Sequence, residues 1–374
     1  MPVTILYPRY DHSAVEERYG SWQTQMLLRA SGAELLFHDQ VDDVETEYVL
    51  VVTDPLLLPS RNLPQRLASV VGDADAAVPV TNESAEERQR ADERPTYITL
   101  RELQTVFDTF EKAPERVDRI TWSGADAGAF CCRTELLRKI KGPLHKAIAN
   151  RNVVVSRNDY IHRWSSMRGQ ARIDLLDRIP PQAQSLLEFG CGEAPLGAAI
   201  KARQKCRVVG IELDPRAAAV ARKRIDDVYQ GDVREIVGLI HERFDWILGG
   251  DIVEHLDEPW SFLADLRRIS KAGGHLLLSL PNLANVSVVN DLLRGRFDYV
   301  YMGLTCAGHL RFFTRRSIED MLDIAGWNVE SIEPQEVILT PEAGELLAKL
   351  DASGTEFSRD DLLSPGYYVT AVNR

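Results

Sequence analysis

An apolar run that ends in two glycines, Leu186-Leu-Glu-Phe-Gly-Cys-Gly192, constrains the fold of this chain more than any other stretch. Gly190 and Gly192 carry no Cβ, so the backbone can turn sharply there and approach a ligand closely. Pro195 suits the first turn of a following helix, where the missing N–H costs nothing. The N-terminus of that helix would offer free N–H groups to an anion such as a carboxylate. About twenty residues on, the next strand ends at Glu212, placed to accept hydrogen bonds from a ribose diol. The unit is thus a strand, a turn and a helix with an acid on the neighbouring strand.

The rhythm around it extends the argument. Strands are expected at Ser185–Phe189, Arg207–Glu212, Trp246–Leu248, His275–Leu280, Trp327–Ile332 and Tyr367–Val372, with helices at Leu196–Ala202 and Pro215–Ile225. Repeated β-α units imply a mostly parallel sheet covered by helices on both faces. A helix at Ile173–Ile179, stopped by Pro180-Pro181, leads in. With 374 residues the chain is too long for one ordinary domain. The expected division is 1–150, a smaller α/β domain; 151–180, a linker and lead-in helix; and 181–374, the domain with the glycine turn. In the first part, strands are expected at Val3–Leu6 and Tyr48–Thr53 and helices at Arg61–Val71 and Leu100–Phe110, while Thr81–Arg94 reads as a mobile surface excursion.

The net charge of −12 repels phosphate backbones and anionic lipid, so no nucleic-acid partner is expected. No apolar run approaches the length of a membrane span. The opening Met1–Arg9 lacks a basic segment ahead of an apolar core, and the expected location is cytoplasmic. Five cysteines without a C-x-x-C pair point to neither a disulfide framework nor a zinc site, and no metal ligand set is expected.

A glycine turn followed by an acid also fits a dinucleotide-dependent oxidoreductase. Two residues argue against that. The third small position of a dinucleotide fingerprint is occupied by Pro195. Glu188, two residues before the first glycine, would repel a pyrophosphate but attract the α-amino group of a methionine moiety.

Residues from about 160 to 335 resemble the class I SAM-dependent methyltransferases, in particular the ubiquinone-biosynthesis O-methyltransferase-like subgroup. The resemblance is carried by Leu187–Gly192, Gly210-Ile-Glu-Leu-Asp-Pro215, Gly231-Asp-Val233, Phe244–Leu256, Ser279-Leu-Pro-Asn282 and His309-Leu-Arg-Phe-Phe-Thr314. Ala194 departs from it, standing where many members have a third glycine. The fold it implies is a Rossmann-like, mostly parallel seven-stranded sheet. The cofactor it implies is S-adenosyl-L-methionine (SAM), bound by Glu188, Gly190, Cys191, Gly192, Glu212, Leu213, Asp232, Val233, Gly250 and Asp251. In that scheme Glu212 takes the ribose hydroxyls and Asp232 the adenine amino group, with the Val233 N–H on a ring nitrogen. Gly249–Asp251 line the methionine end, and Arg168 or Arg172 meets the methionine carboxylate. Cys191 reads as a small filler of the turn and not as a nucleophile.

Methyl transfer requires alignment of the acceptor and, for a hydroxyl, removal of its proton. His255 and His309 are the candidate catalytic bases. The insertion Leu283–Phe313 holds Arg294, Arg296, Tyr299, Tyr301 and Arg311, a composition suited to a small-molecule or glycan-related acceptor. A non-catalytic SAM-binding scaffold is the competing reading. Residues 1–145 more faintly resemble GT-A glycosyltransferases of family 2, through Glu47–Pro55 and Gly124–Arg133. The usual acid pair is reduced to Asp54, with Thr53 beside it, so the region reads as a degenerate module for binding or homodimer formation.

Overall fold

The apolar runs near the start of the chain become three parallel strands, β1 (Val3–Tyr7), β2 (Glu34–Phe37) and β3 (Tyr48–Val52), with β1 between the other two. This computed structural model describes residues 1–9, 14–60, 62–92, 95–164 and 171–373. Five further strands complete the first sheet: β4 (Leu58–Pro59), β5 (Ala76–Thr81), β6 (Val117–Thr121), β7 (Ala129–Arg133) and β8 (Asn152–His162). Their order is β2-β1-β3-β7-β5-β8-β4, with β6 paired to β8. The helices Val15–Arg29, Leu63–Val70 and Leu100–Lys112 accompany this sheet.

Two expectations for this region change. The chain divides into Met1–Ser165 with Phe297–Gly308, and Ser166–Arg296 with His309–Arg374. The boundary therefore falls beyond residue 150, because Val153, Val154, Val155, Tyr160 and Ile161 are buried in β8 as part of the first sheet, where a linker was expected. The polar stretch after Thr81, of which residues 93 and 94 lie outside the described residues, is also pinned at Gln89 where it was expected to be mobile. Gln89 is fully buried and donates to the carbonyls of Pro79 and Ala127, at 3.1 and 2.9 Å. A polar side chain can be buried when its hydrogen bonds are satisfied, and hydrophobic patterning does not reveal that.

The second unit holds β9 (Ser185–Phe189), β10 (Arg207–Glu212), β11 (Asp227–Gln230), β12 (Phe244–Gly250), β13 (Ser270–Pro281), β14 (Asn328–Pro334) and β15 (Gly366–Val372). The seven strands lie in the order β11-β10-β9-β12-β13-β15-β14. All pairings from β11 to β13 are parallel, while β15 runs antiparallel to β13 and β14. Both faces are covered, as a parallel sheet requires. Leu187 and Phe189 pack on one side with Phe262, Leu266, Ile318 and Met321. Leu186 and Val208 pack on the other with Leu196, Ile200 and Ile225. Successive strands step away from β9 in both directions, so a crevice opens at the carboxyl ends of β9, β10 and β12, where such sheets bind ligands. No helix among the described residues is long and apolar enough to cross a membrane.

Candidate active site

At the end of β9 the backbone folds back under two hydrogen bonds, from the N–H groups of Gly190 and Cys191 to the Ile211 carbonyl. Gly190 has φ +70°, and a Cβ there would stand 2.4 Å from Ile252 Cδ1. Gly192, at φ +56°, has nothing within 4 Å of where its Cβ would lie, and this side of the turn is open to a ligand. Ala194 takes φ +55° just before the helix Pro195–Arg203, a left-handed conformation that glycine would accept without strain. Cys191 is 3% exposed, and burial followed by the charges of Glu188 and Glu212 pushes its thiol up, away from thiolate.

The two acids of the turn are placed differently. Glu188 lies beneath it, buried against the first turn of the helix at Gly197. Burial pushes its carboxyl up to about 8, with Glu212 adding to the rise and the Gly197 N–H opposing it. Glu212, half-buried at the end of β10, accepts from the N–H of Gly192 at 2.7 Å and of Asp214 at 2.8 Å. Each carboxylate oxygen keeps a further acceptor site, so a ribose diol can still be bound there. The open turn and this braced carboxylate fit an adenosine-bearing cofactor. Leu213 beside it is 65% exposed. Asp232 caps the helix Val233–Leu239 through the Arg234 N–H at 2.9 Å and pairs with the Arg234 guanidinium, whose hydrogen bonds hold the carboxyl below its usual range.

At the end of β12, Gly250 is followed by Asp251, itself at φ +54°. Asp251 accepts from Ser279 Oγ at 2.7 Å and from Arg172 at 2.6 Å. Arg172 also forks onto Asp174, which accepts from the Tyr368 hydroxyl at 2.7 Å. The guanidinium expected at the methionine carboxylate thus already bridges two protein carboxylates. Arg168 lies outside the described residues.

The two candidate bases, 54 positions apart in sequence (309 − 255), come together. Their rings stand edge to face, 4.9 Å between centroids. The Glu254 carbonyl accepts from the N–H groups of Leu310 and Arg311 at 2.8 and 3.0 Å, which docks the segment after His309 onto the short turn Val253–His255 that follows β12. Glu254, 1% exposed, completes a group whose ligand atoms all lie within 4.8 Å of one another. Nothing in the spacing along the chain announced this trio. The insertion meanwhile is split between the units. Phe297–Gly308 belongs to the first, where the Tyr299 carbonyl accepts from Gln23 at 3.0 Å and Tyr301 meets the Trp164 ring at 6.0 Å. Arg311 stays in the second unit, bonded to the Asp257 carbonyl. Tyr299 and Tyr301 are thus in the first unit, and Arg294, Arg296 and Arg311 in the second.

Residues 162–332 match the family described as "Methyltransferase domain". A ubiquinone biosynthesis O-methyltransferase of Cereibacter sphaeroides is 26% identical over 173 residues, 45% of this chain and 69% of its own length. A probable S-adenosylmethionine-dependent methyltransferase of Mycolicibacterium smegmatis is 29% identical over 171 residues, covering 45% of this chain and 59% of that protein. Among solved structures, a SAM-dependent methyltransferase from Archaeoglobus fulgidus aligns with 54% of this chain and 91% of its own at 15% identity, with a TM-score of 0.41. With its motifs in order along a seven-stranded sheet and a methyltransferase family match over its heart, the second unit is a class I methyltransferase domain, and the chain is an enzyme that takes its methyl group from SAM.

Proposed function

We propose that the chain methylates a hydroxyl oxygen of a small-molecule acceptor. The observation that carries this reading is the meeting of His255 and His309 just beyond the end of β12, in the sequence neighbourhood of Gly250 and Asp251. The name of the Cereibacter relative, an O-methyltransferase, supports transfer to oxygen. Gly190, Gly192, Glu212 and Asp232 would hold the adenosine, while Gly250 and Asp251 would line the methionine end. When bound, the cofactor supplies an electrophilic methyl group on a good leaving group. The protein's share is to align the acceptor and accept or displace its proton.

The test is turnover and SAM affinity, measured side by side. His255→Gln and His309→Gln should each lower turnover by about 10²–10⁴-fold, the range for acid-base groups, with SAM affinity unchanged. Wild-type turnover in both variants would remove the pair from the reaction.

The first unit reads as a binding module in which Asp54, the one acid left of the pair that resembles a glycosyltransferase metal site, is already paired with an arginine. Arg163 contacts Asp54 at 3.1 Å and Asp126 at 3.3 Å, and Thr53 donates to Asp126 at 2.5 Å. A guanidinium paired with both carboxylates leaves little for a divalent cation to neutralise.

A further inference from the structure

We propose that Gly20 and Gln23, in the first unit, hold the segment Phe297–Gly308 and through it fix the place of His309. That makes them positioning residues for methyl transfer, a role that rests on the reading of His309 given above.

Three observations converge. The first is that the segment is closed on itself. The Val300 N–H donates to the Thr305 carbonyl at 3.1 Å, and the Ala307 N–H returns to the Val300 carbonyl at 2.8 Å. Thr305 Oγ1 adds a bond to the Asp298 carbonyl at 2.8 Å. With Val300 buried in the core of the first unit, these bonds make the segment move as one piece, the kind of element that carries coupling.

The second is the grip of the helix Val15–Arg29. Gln23, 2% exposed, donates from Nε2 to the Tyr299 carbonyl at 3.0 Å. Gly20 lies three positions earlier, on the same face of that helix. A Cβ there would stand 2.9 Å from Tyr301 Cβ. Tyr301 Cβ is fixed to its own backbone, so no side-chain rotation relieves that contact; the segment would have to move. Glycine inside a helix is less favourable than alanine, and here the approach of Tyr301 is what requires it.

The third is the path of the chain. It leaves the first unit at Gly308 and enters the second at His309. Just beyond, the N–H groups of Leu310 and Arg311 are bonded to the Glu254 carbonyl. His309 is therefore one peptide bond from the closed segment and one from the anchored pair, with no slack on either side. Any displacement of the segment is taken up at His309. Its side chain is 7% exposed and edge-on to the His255 ring, 4.9 Å between centroids, so a turn of its backbone alters that pairing. Misplacing a reacting group by about 1 Å can cost about 100-fold in rate.

The experiment uses the full-length chain with isotope-labelled histidine. The His309 ring resonance is identified by its loss in His309→Gln. It should move in Gly20→Ala and in Gln23→Ala, while those of His241 and His275, also in the second unit, stay in place. Three glycines inserted between Gly308 and His309 should abolish the response to Gly20→Ala, because the chain then absorbs the displacement. A His309 resonance unmoved by both substitutions, or moved equally with and without the insertion, overturns the proposal. Should Gln23→Ala fail to fold, Gly20→Ala decides, since alanine is the better helix former. Methyl transfer from SAM to catechol serves as the activity probe. Turnover should fall about 10–100-fold in each variant with SAM affinity unchanged, and Gly20→Ala should take nothing further from His309→Gln. Additive losses overturn the positional role. A resonance that moves while His309→Gln keeps wild-type turnover would refute His309 as the base and leave its placement by the first unit standing. If the wild type does not methylate catechol, the resonances alone decide.

Discussion

Replacing Glu188 by Gln keeps the shape of a buried side chain and removes its charge, which makes its titration measurable. Its carboxyl is pushed up from 4.5 to about 8 by burial. At 1.36 kcal/mol per pH unit, a rise of (8 − 4.5) corresponds to at most about 5 kcal/mol of folding free energy. Below 4.5 the carboxyl is protonated in both folded and unfolded chains and costs nothing. Between 4.5 and about 8 the unfolded chain has released the proton while the folded chain retains it, so stability falls as pH rises. Above that window the loss is complete. Glu188→Gln lacks this slope, so its advantage over wild type should grow from about pH 5 to about pH 8 and then level off. Native-state hydrogen exchange at Leu187 and Val209, in adjacent strands of the second unit, isolates the effect from unfolding of the first. Exchange free energies that run parallel in the two chains across that range would show that Glu188 is ionised and compensated in the folded protein.

Two further outcomes follow from the same turn. Ala194→Gly should stabilise the second unit by about 0.5–1 kcal/mol, because relief of a left-handed alanine outweighs the added freedom of glycine in the unfolded chain; thermal unfolding reads it, and a lower midpoint would contradict the strain. Glu212→Ala should weaken SAM binding by about 1.5–3 kcal/mol, the scale of hydrogen bonds to a charged group, and calorimetry showing unchanged affinity with the fold intact would remove it from the site.

The parts of the fold legible in the sequence are those with strong local patterns. Ser185–Phe189 and Arg207–Glu212 are strands with the expected ends, since each is an apolar run bounded by a turn residue or a charge. The edge strand β11 was missed because Asp227 and Gln230 are exposed and the run is not apolar. β8 reads as a linker in sequence because Arg151, Arg157 and Arg163, in and around it, mask an interior strand whose buried apolar residues are Val153–Val155 and Tyr160–Ile161. In the site, the glycine turn and its acid came from short-range spacing. The grouping of His309 with Glu254 and His255 depends on the docking of Leu310 and Arg311 to the Glu254 carbonyl, a long-range contact with no local signature. The pairing of Arg172 with Asp174 and Asp251 was equally hidden, because any arginine in that stretch could have faced solvent.

That Phe297–Gly308 belongs to the first unit has a consequence for synthesis. Val300 is 4% exposed within a core that includes Val153 and Tyr160, and Tyr301 lies where a side chain on Gly20 would begin. The amino-terminal unit therefore cannot close its core when residue 165 leaves the ribosome. It waits for residue 308, a delay of 143 residues (308 − 165), or roughly 7–30 s at ordinary rates of elongation. By then every residue of β9 to β13 has been made, so the parallel part of the second sheet can begin to assemble while the first unit is still incomplete. Completion of the first unit thus falls inside the synthesis of the second, whose β14 and β15 are made last. Protease resistance of the first unit in chains halted before residue 297 and after residue 308 would date the moment, and equal resistance in both would deny the delay.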